Sequence, residues 1–266
     1  MDSLEELERS ARELGCGVYQ NEPMDRHTTF RIGGPADLFL VVREKAALRE
    51  ICKRAWKLGV QIFPLGNGSN LLVSDAGIRG TVVSLGGEFQ KVALCGATEL
   101  ECGAAASLAK VCKFAQSRAL SGMEFAWGIP GSMGGAAFMN AGAYDHSLQE
   151  TVAACNHVTL QGEAGILRGK ELQYGYRRSA YSENGCMITS IRLKLRRGDP
   201  EQISSEMKEL YERRKRKQPL ELPSAGSIFK RPPGHYAGTL IEQCGLKGRQ
   251  VGGAMVSEKH AGFIVN

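Results

Sequence analysis

Four stretches of this sequence carry residue types that could do chemistry. The first is Gly66-Asn67-Gly68-Ser69-Asn70. Glycine tolerates positive φ and lets a backbone approach a ligand closely. Successive N–H groups in such a turn form a concave anion site, and Ser and Asn add donors. A diphosphate would suit it. No Gly-Lys-Ser/Thr follows, and the third glycine and helix of a dinucleotide fingerprint are missing. An ordinary tight turn between strands fits the same residues. The second stretch runs Trp127-Gly128-Ile129-Pro130-Gly131-Ser132-Met133-Gly134-Gly135. Two glycine clusters around a proline hold a backbone shape that side chains would obstruct. A flat ring system or a second phosphate contact would use it; a helix N-terminus packed closely on a sheet is the competing reading.

The third stretch is Tyr174-Gly175-Tyr176-Arg177-Arg178-Ser179. An arginine after aromatics suits a carboxylate or phosphate, because its fork binds such groups bidentately. The end of a surface strand is the alternative. The fourth is Pro223-Ser224-Ala225-Gly226-Ser227-Ile228-Phe229-Lys230-Arg231-Pro232, where prolines bound a loop that holds Ser227 in a defined place. It lacks the Gly-x-Ser-x-Gly elbow, and no His has the context of a triad base, so a hydrolase is set aside. The basic run Arg213–Lys217 precedes it. Such runs are usually solvated helix faces, though Lys217 at the mouth of a site could meet a diphosphate.

These residues need a scaffold, and 266 residues with 42% apolar and 23% charged side chains suffice for a globular core. The net charge of +6 suits anionic small molecules. It does not mark a nucleic-acid binder, since the basic run has no interleaved aromatics. No apolar run is long enough to span a bilayer, and the acidic N-terminus is unlike a signal peptide, so a cytoplasmic protein without membrane insertion is expected. The eight cysteines form no Cys-x-x-Cys pair and none neighbours a His at ligand spacing. They read as reduced, buried thiols, and no metal site is expected.

Periodicity then places the elements. Residues 3–14 read as a helix capped by Ser3 and Glu6. A strand at 36–42, a helix at 44–58 stopped by Gly59 and a strand at 61–65 form a β-α-β unit, with a further short strand at 71–73. Strands are expected at 81–85, 91–95, 98–102, 151–160 and 186–194, with a helix at 107–118. The glycine-dense stretch from 119 to 150 shows no clear period; such segments are usually functional or disordered, and its apolar content speaks against disorder. Asp199-Pro200 starts a helix to about 217, with Ile203, Met207, Leu210 and Tyr211 on one face. A turn-rich segment at 219–235, a short helix at 237–244 and a strand at 261–265 follow. A domain ending on a strand reads as cut short.

Taken in this order, the stretches resemble one family, the UDP-N-acetylenolpyruvoylglucosamine reductases, also called UDP-N-acetylmuramate dehydrogenases or the MurB family. The likeness runs from Thr28-Thr29-Phe30-Arg31-Ile32-Gly33-Gly34-Pro35-Ala36 through Gly66–Asn70 and the Gly-Ile-Pro-Gly-Ser stretch. It continues through Met139-Asn140-Ala141-Gly142-Ala143-Tyr144, Tyr176-Arg177-x-Ser179 and Ser224-Ala225-Gly226-Ser227. It ends with Gly245-Leu246-Lys247-Gly248 and Gly262-Phe263-Ile264-Val265-Asn266. The step from Tyr-Arg-x-Ser to the next strand resembles the shorter form of the enzyme, without an inserted substrate loop.

The resemblance implies an α+β protein with an FAD-binding fold of the vanillyl-alcohol-oxidase (PCMH) type. Two flavin subdomains, 1–80 and 81–197, would be followed by a smaller α+β substrate domain, 198–266, here truncated. FAD would lie against Gly66, Asn67, Gly68, Ser69, Asn70, Gly128, Ile129, Pro130, Gly131, Ser132, Gly134 and Gly135. NADPH would supply the hydride, which FAD relays to the enolpyruvyl group of a UDP-sugar. By the same resemblance Arg177 stabilises the developing enolate-like charge and Ser227 donates the proton. Tyr176, Lys217, Lys230 and Arg231 would hold the substrate, although the family often carries Asn where this chain has Arg231. The family's glutamate beyond the Gly-Phe-Ile-Val-Asn strand falls after Asn266; poor turnover is expected if the chain is complete, whereas in a fragment the missing residue says nothing of the native protein. A monomer or weak oligomer is expected. Another flavoprotein of the same superfamily and a non-catalytic nucleotide-binding protein are the rival readings.

Overall fold

A computed structural model describes residues 2–266. The chain begins with helix α1 (Ser3–Glu13), β1 (Gly17–Pro23), β2 (Pro35–Val42), α2 (Lys45–Leu58), β3 (Ile62–Leu65) and β4 (Ile78–Leu85). Next come β5 (Val92–Leu94), β6 (Glu99–Gly103), α3 (Leu108–Ser117), β7 (Leu120–Ser121), α4 (Met133–Phe138), β8 (Gly142–Ala143) and β9 (His146–Ser147). They lead to β10 (Val152–Val158), β11 (Ala164–Arg168), α5 (Tyr181–Asn184), β12 (Met187–Lys194), β13 (Arg196–Arg197) and α6 (Pro200–Lys217). The chain closes with β14 (Ser224–Ser227), α7 (Ala237–Gln243), β15 (Gln250–Val251), β16 (Ala254–Val256) and β17 (Phe263–Val265).

Three sheets of four or five strands organise these elements, beside two two-stranded pairs, β13-β7 and β8-β9. The first has the order β1-β2-β4-β3, with β2, β4 and β3 parallel and β1 antiparallel at the edge. The crossover from β2 to β3 is α2, which presents Leu48, Ile51, Cys52 and Ala55 to the sheet at helical spacing. Burying each large aliphatic chain there contributes about 1.5–3 kcal/mol. Gly59, left-handed at φ 67°, ends the helix as expected. The second sheet is antiparallel throughout, in the order β11-β10-β12-β6-β5. Helix α3 packs Val111, Cys112 and Ala115 into its core, and α6 adds Ile203 and Met207. The third sheet, β14-β17-β16-β15, is small and antiparallel. It is tied to the first unit by Thr29 Oγ1–H to the Ser224 carbonyl at 2.7 Å and Asn266 Nδ2–H to the Phe30 carbonyl at 3.2 Å.

Several local expectations change. The α1 cap is Asp2 with Glu5, not Ser3 with Glu6; the box is shifted by one residue. Residues 71–73 form no strand; Val73 is buried against Met24 and Gly33 as part of a connection. The glycine-dense stretch contains α4, whose Ser132 Oγ accepts the Gly135 N–H at 3.2 Å. The thiols are not uniformly buried. Cys52, Cys102, Cys112 and Cys155 are, whereas Cys95 and Cys244 are exposed and Cys16 and Cys186 lie between. Burial pushes the four buried thiols up to about 12.

Candidate active site

The two glycine-rich loops, distant in sequence, meet in space. The first leaves β3, so its peptides emerge from the end of the parallel strands. Gly68 is left-handed at φ 59°, and a Cβ there would collide with the His27 carbonyl. Only glycine fits that turn. Ser69 Oγ donates to the Pro130 carbonyl at 2.7 Å. A Cβ on Gly66 would stand 2.6 Å from Ser132 Oγ. The loops therefore clasp each other with bare backbone facing outward at Gly66, Asn67, Asn70 and Gly135, all exposed. A cleft of about 390 Å³ opens beside Gly66 and Asn67, walled by Arg26, His27, Thr28, Thr29, Leu65 and Ser84.

Within the second loop the glycines divide by role. Gly134 is buried, and its Cβ would come within 2.8 Å of the Ala104 Cβ, so it lets α4 sit tightly on the end of β6. Gly128 is left-handed at φ 82°, and its Cβ would press on the Tyr211 ring at 2.7 Å and on Arg214 Cδ at 3.4 Å. The neighbouring Trp127 ring is tilted against Tyr211 at 6.2 Å. Ile129 and Gly131 are half-buried and Pro130 is exposed.

Arg177 is reached through a tight turn. Its own φ is 54°, a strained value for a side-chain-bearing residue. Its Nη2–H donates to the Gly142 carbonyl at 2.9 Å and its Nη1–H to the Asn140 carbonyl at 3.4 Å. Half of its fork is thus used for anchoring, and the remaining donors are free for an acceptor. Its carbon Cζ also lies 5.3 Å from the centre of the Tyr176 ring. The Tyr176 phenol accepts the Arg231 backbone N–H at 3.1 Å. That bond sets the Tyr176–Arg177 loop against the segment that follows Ser227. Ser227 itself is exposed at the end of β14, paired with Phe263. Lys217 and Lys230 are exposed.

One residue escaped the sequence reading. Arg214, expected on a solvated face, is only 5% exposed. Its Nε and Nη2 have no hydrogen-bond partner, and no acidic side chain pairs with it among the described residues. Its guanidinium lies 5.4 Å from the Tyr144 ring, and burial pulls it below its usual range. The signal was present in the helix period: Ile203, Met207 and Leu210 continue to 214 at the same spacing.

Parallel strands opening into a glycine loop, beside an antiparallel sheet that supplies a second one, define a class. Residues 36–166 match the family profile described as "FAD binding domain". The fold is also similar to that of a chitooligosaccharide oxidase, with a TM-score of 0.55 at 14% identity over 72% of this chain and 43% of that one. The chain thus has an FAD-binding fold, similar in its backbone to that oxidase, as the sequence led us to expect.

Residues 218–266 match the profile "UDP-N-acetylenolpyruvoylglucosamine reductase, C-terminal domain". The reductase of that name from Lactococcus lactis subsp. cremoris is 44% identical over 92% of this chain and 82% of its own length. The one from Caldanaerobacter subterraneus subsp. tengcongensis is 45% identical over 100% and 86%. The crystal structure of the reductase from Thermus caldophilus superposes with a TM-score of 0.83 at 37% identity, covering 94% and 88% of the two chains. The chain belongs to the UDP-N-acetylenolpyruvoylglucosamine reductase family. Its residues fit the cofactor of that fold. The clasped loops offer bare backbone for a diphosphate at Gly66, Asn67, Asn70 and Gly135, and Arg214 holds buried donors without an acceptor.

Proposed function

We propose that this protein reduces the enolpyruvyl group of UDP-N-acetylglucosamine enolpyruvate to give UDP-N-acetylmuramate, a step of peptidoglycan precursor synthesis, in the cytoplasm. The observation that carries the reading is the free half of the Arg177 fork, held by two backbone carbonyls on the loop that faces the Ser227 segment. FAD, which the two glycine loops would hold, would supply the hydride chemistry between NADPH and the terminal alkene carbon.

The chain's own residues do the rest. Gly66–Asn70 and Gly128–Gly135 receive the flavin nucleotide, with Ser69 and Ser132 fixing the two loops. Arg214, whose Nε and Nη2 have no partner in the protein, would offer those donors to an acceptor of the bound flavin. Hydride addition leaves negative charge on the adjacent carbon, spread into the substrate carboxylate. Arg177 lies fixed before the reaction and opposes that charge without reorganising, which is where electrostatic stabilisation is most effective. Ser227 supplies the proton to the same carbon. Tyr176 and Arg231, joined to each other, close the pocket on the sugar nucleotide, and Lys217 and Lys230 attract its diphosphate. The units divide at residues 80/81 and 197/198, with α6 reaching back onto the second.

Purified chain supplied with FAD tests this. NADPH oxidation should depend on added enolpyruvyl sugar nucleotide. Bound flavin with NADPH consumption indifferent to that substrate would overturn the reading.

A further inference from the structure

We propose that Asn140 is a positioning residue that holds Arg177 at the height the reduction needs, an inference that rests on the function just proposed. Asn140 is 3% exposed and sits at the end of α4 with φ 44°, a conformation Asn tolerates better than most side chains. Its side chain is fully engaged. Nδ2–H donates to the Gly175 carbonyl at 2.9 Å and to Gln149 Oε1 at 3.1 Å, while Oδ1 accepts the Gln149 backbone N–H at 3.0 Å. Its own carbonyl takes the Arg177 Nη1–H.

Asn140 thus grips the arginine twice, through the backbone two residues before it and through the guanidinium itself. The Gly175–Arg178 turn has few other ties. Gly175 and Arg178 exchange backbone bonds only with each other, and a Cβ on Gly175 would meet nothing within 4 Å. Ser179, fixed by Oγ–H to the Phe138 carbonyl at 2.7 Å, anchors the far end on the same helix terminus. Because α4 begins at the clasped glycine loops, its C-terminal end carries their position to Arg177. The left-handed φ of Asn140 turns its carbonyl toward the guanidinium, so the cofactor loop and the charge-stabilising fork are set by one rigid piece.

Two substitutions test this. Asn140→Asp keeps the conformation and the acceptor for Gln149 but places a carboxylate against the Gly175 carbonyl. Asn140→Gly keeps the conformation and removes the side chain. Each should retain bound flavin yet lower single-turnover reduction of the enolpyruvyl substrate about 10–100-fold, the order set by small errors in orientation. Hydrogen exchange over residues 172–180 should quicken in both. In an Arg177→Met background the same changes should cost less than about threefold, because groups that act through one another are non-additive. Wild-type rates in both variants, or equal losses with and without Arg177, would overturn the assignment. A wild-type chain showing no substrate-dependent turnover would overturn it together with the functional reading beneath it.

Discussion

Arg214 carries two guanidinium donors into a buried place without an acceptor. An unpaired buried donor costs about 1–3 kcal/mol, a penalty that on the proposed function a flavin acceptor would remove. Arg214→Met should therefore raise the melting temperature of the flavin-free chain while weakening FAD affinity by about tenfold or more; calorimetry and flavin titration read the two effects. Loss of both stability and affinity would mean that the side chain is structural. Ser227→Ala should leave flavin binding intact and slow turnover by about 10²–10⁴-fold, the usual contribution of a positioned proton donor. At this scale the sequence singled out Arg177 and Ser227 by residue type and motif, and the structure sets their two loops against each other through Tyr176 and Arg231. Arg214 was hidden because the four other residues of the run Arg213–Lys217 are exposed and announce solvent. What separates it from them is angular position on α6, not composition.

Among the elements, the helices were readable and the small strands were not. α2, α3 and α6 show apolar residues at three- and four-residue spacing against a sheet. β1 reads Gly-Val-Tyr-Gln-Asn-Glu-Pro and is half-exposed along its length, so its edge position leaves no alternation. β14, β15 and β16 are two to four residues long and owe their existence to pairing across the third sheet. α4 was concealed by its glycines, which lower helix propensity yet are what lets it approach Ala104. Gly134 serves packing against Ala104 and Gly128 packing against Tyr211, while the flavin reading of this loop, which rests on the proposed function, uses its outward backbone at Gly135. Gly128→Ala tests the distinction. A Cβ in a left-handed residue costs about 1–2 kcal/mol, and this one also pushes the Tyr211 ring. The variant should fold, lose a few degrees in melting temperature and bind FAD at least about tenfold more weakly.

Across the whole molecule, charge is unevenly spread. Residues 213–266 hold ten Lys and Arg against three Glu, which exceeds the net +6 of the chain and leaves the remainder slightly acidic. The small sheet and the end of α6 thus present a field that favours anionic nucleotides. Protonation acts on stability through buried imidazoles. Burial lowers the pKa of His157, whose Nδ1 is 3.0 Å from the Tyr181 hydroxyl, and of His260. The unfolded chain then binds protons more readily, so this contribution is complete above the ordinary His range near 6.5 and fades as pH falls below it. The melting temperature should drop between pH 7.5 and 5.5, and His157→Gln should flatten that slope; an unchanged slope in the variant would refute the assignment to His157.

On the proposed function, hydride passes from NADPH to FAD and from FAD to the enolpyruvyl group in two separable steps. The most direct measurement is anaerobic. The FAD-loaded chain is bleached with NADPH alone, freed of NADP⁺, and mixed with UDP-N-acetylglucosamine enolpyruvate. The yellow colour should return without further NADPH, at a rate no slower than steady-state turnover, with one UDP-N-acetylmuramate formed per flavin. Colour that returns only when NADPH and substrate are present together would contradict it.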